Sequence, residues 1–212
     1  ITAEKPFVTL KTAMSLDGKI ATSTGQSQWI TCEQSRRRVH ELRDINDAIM
    51  VGIGTVLADN PSLTTRIDGG KNPIRIIVDS NLKIPIDSKV IKDKLSPTIN
   101  ALKNLDIEII LTGEAERVDL NILMNELASR EITSVFVEGG GTLNFSLLQS
   151  HLVDKVCAFI APKIIGGKNA VTAVDGEGFA NLSDVVRLKN LPAENLGSDI
   201  LITGYVESTT RD

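Results

Sequence analysis

Ser134-Val135-Phe136-Val137-Glu138-Gly139-Gly140-Gly141-Thr142-Leu143-Asn144-Phe145-Ser146 is the stretch whose reading decides the fold. Its first four residues include β-branched and aromatic side chains, the pattern of a short buried strand. Three glycines break the run, and Leu143, Leu147 and Leu148 then recur at helical spacing up to Ser150. The order is strand, tight turn, helix. Glycines at such a turn let the backbone approach a ligand, and the free amides of a helix start favour an anion such as a phosphate. Glu138 stands at the strand's carboxyl end, where open α/β sheets bind their ligands. A structural reading is equally good at this point: the glycines pack the helix onto the sheet, and Glu138 caps it.

Around this unit lie 212 residues, enough to bury a real core and read here as one domain spanning 1–212. An apolar share of 42% and a charged share of 24% are those of a soluble globular protein. The net charge of −4, with no basic tract interleaved with aromatics, speaks against a nucleic-acid partner. An anionic substrate therefore needs a local cluster of cations. Only Cys32 and Cys157 occur, far apart and without metal-ligand spacing, so no zinc site is expected and a reducing, cytoplasmic setting fits. No segment reads as a membrane span or a signal peptide. The chain begins at Ile1 rather than Met, as a trimmed chain or a piece of a longer polypeptide would.

Strand–helix alternation runs through the rest of the chain. Phe7 to Met14 reads as a strand, with Lys11 on the face opposite Val8 and Leu10, either at the surface or pointing into a cleft. Asp17-Gly18 marks a turn, and a polar stretch leads to Trp29, the only tryptophan, which suits either a wall for a flat ring or an anchor for its loop. Thr31-Cys32-Glu33-Gln34 fits a capping box for a helix running to about Asp44, with Val39 and Leu42 facing inward. Arg36, Arg37 and Arg38 read as a solvated face, with Arg43 the cation to watch at the helix end. Ala48 to Val51 is a second strand, and Gly52-Ile53-Gly54-Thr55 repeats the glycine theme without the third glycine of a dinucleotide fingerprint. Ile74 to Asp79 is a third strand closed by Ser80; an acid there often meets a ribose hydroxyl and a serine a phosphate. Glu108 to Leu111 and Val156 to Ala161 are further strands, and Leu120 to Arg130 is a helix. Val185 to Leu191 and Ile200 to Tyr205 form an expected antiparallel hairpin. The class is α/β, with a mixed sheet.

Lys11-Thr12-Ala13-Met14-Ser15-Leu16-Asp17-Gly18-Lys19-Ile20-Ala21, Gly25-Gln26-Ser27-Gln28-Trp29-Ile30-Thr31, Gly52-Ile53-Gly54-Thr55-Val56-Leu57-Ala58-Asp59-Asn60-Pro61 and Val137-Glu138-Gly139-Gly140-Gly141-Thr142 together resemble one family closely. It is the reductase domain of the riboflavin-biosynthesis deaminase/reductase, and Ala161 to Gly167 with Gly176-Glu177-Gly178-Phe179 extends the likeness toward the C-terminus. The resemblance implies a dihydrofolate-reductase-like three-layer fold with a mixed, mostly parallel central sheet and a C-terminal antiparallel hairpin. It also implies a homodimer, and a deaminase domain that has no counterpart in this chain.

The activity implied is NADPH-dependent reduction of the ribose of a phosphoribosylamino-pyrimidine to a ribityl chain. Hydride from the nicotinamide makes a metal unnecessary, and a nearby acid must deliver a proton. Carried over residue by residue, the substrate contacts fall on Ser27, Arg43, Leu63, Arg66 and Glu138, the two arginines being aimed at the phosphate. The cofactor side falls on Ala13, Trp29, Thr55, Asp59, Ser80, Gly140, Gly141, Thr142, Leu143, Asn144, Phe145 and Ser146. Lys11, Asp59 and Glu138 are the candidate proton donors, with a held water as an alternative. The loop Gly25 to Thr31 resembles the bacterial version, which acts on the deaminated uracil; archaeal and fungal relatives reduce the diamino compound. Dihydrofolate reduction and a nucleotide-binding sensor without turnover are the rival readings. One departure stands out: Pro97-Thr98-Ile99 runs almost directly into Asn100-Ala101-Leu102, where the family carries a strand, a threonine-bearing loop and a helix. That departure bears on the adenosine side and on the choice of NADPH over NADH.

Overall fold

The computed structural model describes residues 5–99, 110–112 and 117–207. Its elements, in chain order, are β1 (Phe7–Ser15), α1 (Glu33–Ile45), β2 (Ala48–Gly52), α2 (Ile53–Asp59), β3 (Ile74–Val78), α3 (Lys89–Lys92), β4 (Thr98–Ile99), α4 (Leu120–Ser129), β5 (Ser134–Val137), α5 (Gly141–Gln149), β6 (Lys155–Ala161), β7 (Leu188–Lys189), β8 (Ala193–Leu196) and β9 (Asp199–Val206). The strands form one sheet in the order β4-β3-β2-β5-β1-β6-β9-β7, with β8 also paired to β9. Pairings from β4 across to β6 are parallel, and those made by β9 are antiparallel. This is the mixed, mostly parallel sheet that alternating strands and helices lead one to expect.

Alternation along the strands sends side chains to two apolar layers. Val8, Leu10, Met50, Val135 and Val137 face α4 and α5, meeting Leu123, Met124, Leu127, Leu143 and Leu147. On the opposite face, Phe136, Cys157 and Phe159 meet Val39 of α1, and Ile49, Val51 and Ile77 meet Val56 of α2 and Val90 of α3. Helices on both faces of one sheet make three layers.

Register then places the chemistry. Leu10 pairs with Val137, so Lys11 and Glu138 come next on neighbouring parallel strands, on the face shared by Phe136 and α1. Arg43, in the last turn of α1, reaches the same spot.

Two local expectations need correction. The α1 cap is Cys32, with no side-chain cap bond, instead of a Thr31–Gln34 box. The Asp199 carboxylate supplies what that box would have done, accepting from the Cys32 amide at 2.7 Å and the Ser35 hydroxyl at 2.7 Å. The long hairpin expected at the tail is shorter: Ala193–Leu196 turns through Gly197 (φ 63°) to pair with β9, while Leu188–Lys189 lies along another part of that strand. The departure at Asn100 and most of the strand expected over Glu108 to Leu111 lie outside the described residues; Ile110 and Leu111 are not in a strand.

Candidate active site

A cleft of about 1070 Å³ opens over the carboxyl ends of β1, β2, β3 and β5. Strand ends of an open α/β sheet are where such crevices form. Two helix starts face it, those of α2 and α5, whose cap positions Gly52 and Gly140 carry no side chain to satisfy the first-turn amides. Those amides are left to solvent or to a ligand, and the helix dipole favours an anion there.

The three consecutive glycines divide the two readings between them. A Cβ on Gly139 would meet Asn144 Oδ1 and Leu143 Cδ2 at 2.9 Å, and one on Gly141 would meet Asp175 Cβ at 2.6 Å and the Thr172 carbonyl at 2.8 Å. Those two glycines exist for packing. A Cβ on Gly140 would meet nothing within 4 Å, so its free face is toward the cleft.

At the cleft floor, Glu138 is gripped by two cations. Arg43 donates from Nε to Oε1 at 2.6 Å and from Nη2 to Oε2 at 3.1 Å, and Lys11 Nζ lies 3.4 Å from Oε2. The three side chains are 10–15% exposed. Burial alone would push the Glu138 carboxyl up, but the charges and hydrogen bonds of Arg43 and Lys11 outweigh it and hold the pKa at about 2. Glu138 is thus a fixed anion at neutral pH, with no proton to give. The Lys11 ammonium has one, and it lines the cleft. Asp59, also on the cleft lining, has its carboxyl raised by partial burial.

The cleft brings together Lys11, Ala13, Ser27, Thr55, Asp59, Ser80, Glu138, Gly140, Gly141, Thr142, Leu143, Asn144 and Ser146. Five residues expected at the site lie off its lining. Trp29 is 60% exposed, and its ring carries the Arg36 guanidinium 4.6 Å above the centroid, so Arg36 is not simply solvated. Phe145 is buried edge-on against Phe179, with centroids 5.4 Å apart. Leu63 is buried among Val56 and Ile77. Arg43 sits behind Glu138, its third donor spent on the Thr64 carbonyl at 2.9 Å. Arg66 is exposed beside them; burial first, then the charges of Arg43 and Arg66, push the nearby His40 imidazole below its ordinary value.

Sequence reasoning missed the wall made by Val171, Ala173 and Asp175. This segment is strapped across the cleft by Asn144 Nδ2 donating to the Ala173 carbonyl (2.8 Å) and by the Asp175 amide donating to Gly141 (3.2 Å). Its other end is held by Asp17, which accepts from the Ile165 and Gly166 amides at 3.0 and 2.7 Å, and by Lys163, which donates to the Trp29 and Ile30 carbonyls. The glycines of Gly176-Glu177-Gly178 were the one available signal. Among the described residues no cluster of His, Cys, Asp and Glu could hold a metal ion, and no helix is long and apolar enough to cross a membrane.

The sequence profile of the RibD C-terminal domain matches residues 6–202. The chain belongs to the RibD C-terminal domain family. Within it, the chain is 41% identical over 221 residues to riboflavin biosynthesis protein RibD of Actinobacillus pleuropneumoniae, covering 98% of this chain but 59% of that protein. It is 44% identical over 211 residues to the 2,5-diamino-6-ribosylamino-4(3H)-pyrimidinone 5′-phosphate reductase of Methanothermobacter thermautotrophicus, covering 93% and 97%. RibD of Acinetobacter baumannii superposes with a TM-score of 0.84 at 26% identity, over 97% of this chain and 59% of that one. Dihydrofolate reductase of Enterococcus faecalis, at 14% identity and a TM-score of 0.56 over 95% and 96%, shares the fold. The RibD C-terminal fold is thus dihydrofolate-reductase-like, and the uncapped α5 turn lies at its cleft.

Proposed function

We propose that this chain reduces the ribose of 5-amino-6-(5-phosphoribosylamino)uracil to the ribitylamino product, with NADPH, in riboflavin biosynthesis. The observation that carries the reading is Lys11 held against an ionised Glu138–Arg43 pair on the floor of a cleft that two uncapped helix starts enter. A bound reduced nicotinamide would supply a hydride to C1 of the ring-opened ribose. Lys11 Nζ gives up the accompanying proton, and Glu138 fixes the ammonium in place and steadies its charge. The amides of Gly141 and Thr142 suit the diphosphate, Thr55 and Ser80 flank the same dinucleotide, and Ser27 with Arg66 suits the substrate phosphate end.

The second reading is reduction of the non-deaminated diaminopyrimidinone phosphate. It is favoured by 44% identity to the Methanothermobacter reductase, almost all of whose length this chain covers. Loss of NADPH absorbance with each of the two pyrimidines in turn tests both. The uracil compound as the better substrate supports the first reading, and the diamino compound as the better one replaces it. NADPH binding with no oxidation by either leaves only a binding module. The longer RibD relatives support a deaminase domain joined to this one in the full-length protein. A homodimer and a cytoplasmic setting complete the proposal, with Ile200 and Tyr205, both exposed on β9, offered as interface material.

A further inference from the structure

Among the described residues, one of the buried side-chain polar atoms without a partner, His40 Nδ1, stands beside the cations of the cleft floor. The proposed reaction gives this imidazole no role. His40 precedes Arg43 by three residues in α1, so both side chains rise from one face of the helix. That face meets the loop after α2, where Arg43 Nη1 donates to the Thr64 carbonyl at 2.9 Å and the imidazole donates to the same residue. With Thr64 taking the ring's N–H, the lone pair is left on Nδ1, where no donor of the protein holds it.

The charges around the ring come from several elements. On α1, Arg36 is drawn over Trp29, Arg43 grips Glu138, and Asp44 spends its carboxylate on the Lys71 amide at 2.6 Å. Arg66 comes from the loop and Glu138 from β5, with Lys11 of β1 bound to Glu138. Arg66 is exposed and makes no ion pair with a described residue. Arg43, Lys11 and Arg66 already outnumber the one carboxylate, Glu138, so burial and these cations keep the imidazole neutral. A phosphate dianion docked against Arg66 reverses that balance. Arg43, Arg66 and Lys11 are charged already and Glu138 is a fixed anion, so the imidazole is the group of this seam that can answer with a proton near neutral pH.

We infer that His40 takes up a proton from solvent as the dianionic end of the substrate docks against Arg66, so that capture of a phosphorylated reactant is linked to pH. This rests on reading Arg66 as the anchor of the substrate phosphate, and adds to that anchor a second charge that exists only when the anion is present. The bond formed is N–H at the open ring nitrogen, and no bond of the substrate breaks.

Imidazole NMR signals report the step directly, because His40 and His151 are the only histidines and His151 is exposed beyond the end of α5. At about pH 7, without dinucleotide, the saturating phosphorylated uracil compound moves the His40 signals to their protonated positions and leaves those of His151 in place; the dephosphorylated compound moves neither. Calorimetry in buffers of different ionisation enthalpy shows the wild type taking up more protons per ligand than His40→Gln. The affinity advantage of the wild type over His40→Gln shrinks about 3- to 10-fold from about pH 6 to about pH 8, as the bound imidazole loses its proton. His40 signals unmoved by the bound phosphorylated compound, or equal proton uptake with and without the imidazole, overturn the inference and leave the Arg66 anchor standing. Equal wild-type affinity for the phosphorylated and dephosphorylated compounds removes the anchor and the inference together. The signals are read on the wild type, so they decide the matter even where His40→Gln fails to fold.

Discussion

A single carboxylate sets the character of the floor. Glu138 cannot donate a proton while Arg43 and Lys11 hold its pKa at about 2, so its contribution is to place Lys11 and to balance two buried cations. Lys11→Met is expected to lower kcat by about 10²- to 10⁴-fold, the usual yield of a general acid, with NADPH affinity little changed; single-turnover kinetics beside NADPH titration separates the two. Glu138→Gln leaves Arg43 and Lys11 without their anion, and should cut turnover far more than it weakens NADPH binding; equal losses in both would remove Glu138 from the reaction. Arg66, exposed and near His40 and Arg43, is the remaining candidate for the substrate phosphate. Arg66→Ala should raise KM for the phosphorylated substrate with kcat little altered, and a dephosphorylated substrate should show no such change. None of this geometry is visible residue by residue. From its strand alone Lys11 reads as a surface lysine or as one pointing into a cleft, with Asp59 or Glu138 as its possible ion-pair partner, and the Leu10–Val137 register is what sets it beside Glu138.

At the level of elements, the β5-turn-α5 unit was legible because composition and punctuation agree: a short continuous apolar run of β-branched and aromatic residues, glycines, then leucines at helical spacing. What the glycines do was not legible, because it depends on a segment thirty residues away. Asp175 and Thr172 crowd Gly141, whereas Gly140 faces open space. Gly140→Ala should therefore fold with near-normal stability and lose cofactor affinity, since the methyl enters the cleft. Gly141→Ala should push the strap off the α5 start and lower both stability and affinity; denaturant midpoints beside NADPH titration distinguish the pair. The side chain that seats α5 is Leu147, fully buried under the sheet with Met124 and Leu127. Leu147→Ala should cost about 2–5 kcal/mol in unfolding free energy, by lost transfer and an unfilled cavity. The inward turn of Asp79 and the seat of Trp29 were not legible, because their partners, the Ile84 amide in a turn and the Arg36 guanidinium on α1, are set by packing that no period encodes.

Across the whole molecule, two carboxylates held near a pKa of 2 lie at opposite ends of one mechanical link. Glu138 joins β5 to α1 and β1, and Asp17 joins the end of β1 to the strap through the Ser15 hydroxyl and the Ile165 and Gly166 amides. Their ordinary values are 4.5 and 3.8. Both folded-state values are depressed, so the unfolded chain takes up protons first as pH falls, and folding stability declines with it. The stabilisation is complete above about pH 4.5 and is lost progressively down to about pH 2. Asp59 works in the opposite sense, because burial raises its carboxyl and protonation relieves the folded state. The measured melting temperature should nevertheless fall across that window, since the mostly buried, doubly paired Glu138 dominates. Glu138→Gln should start lower at neutral pH and show a flatter slope between pH 4.5 and 2. Asp17→Asn should flatten it less, as an exposed carboxylate screened by water contributes little. Hydrogen exchange separates the two sites further. Asp17→Asn should lose protection in the strap near Ile165 and Gly166 while β5 stays protected, because the core layers under β5 do not depend on that clamp. Loss of protection in β5 as well would mean that the strap and the sheet unfold as one unit.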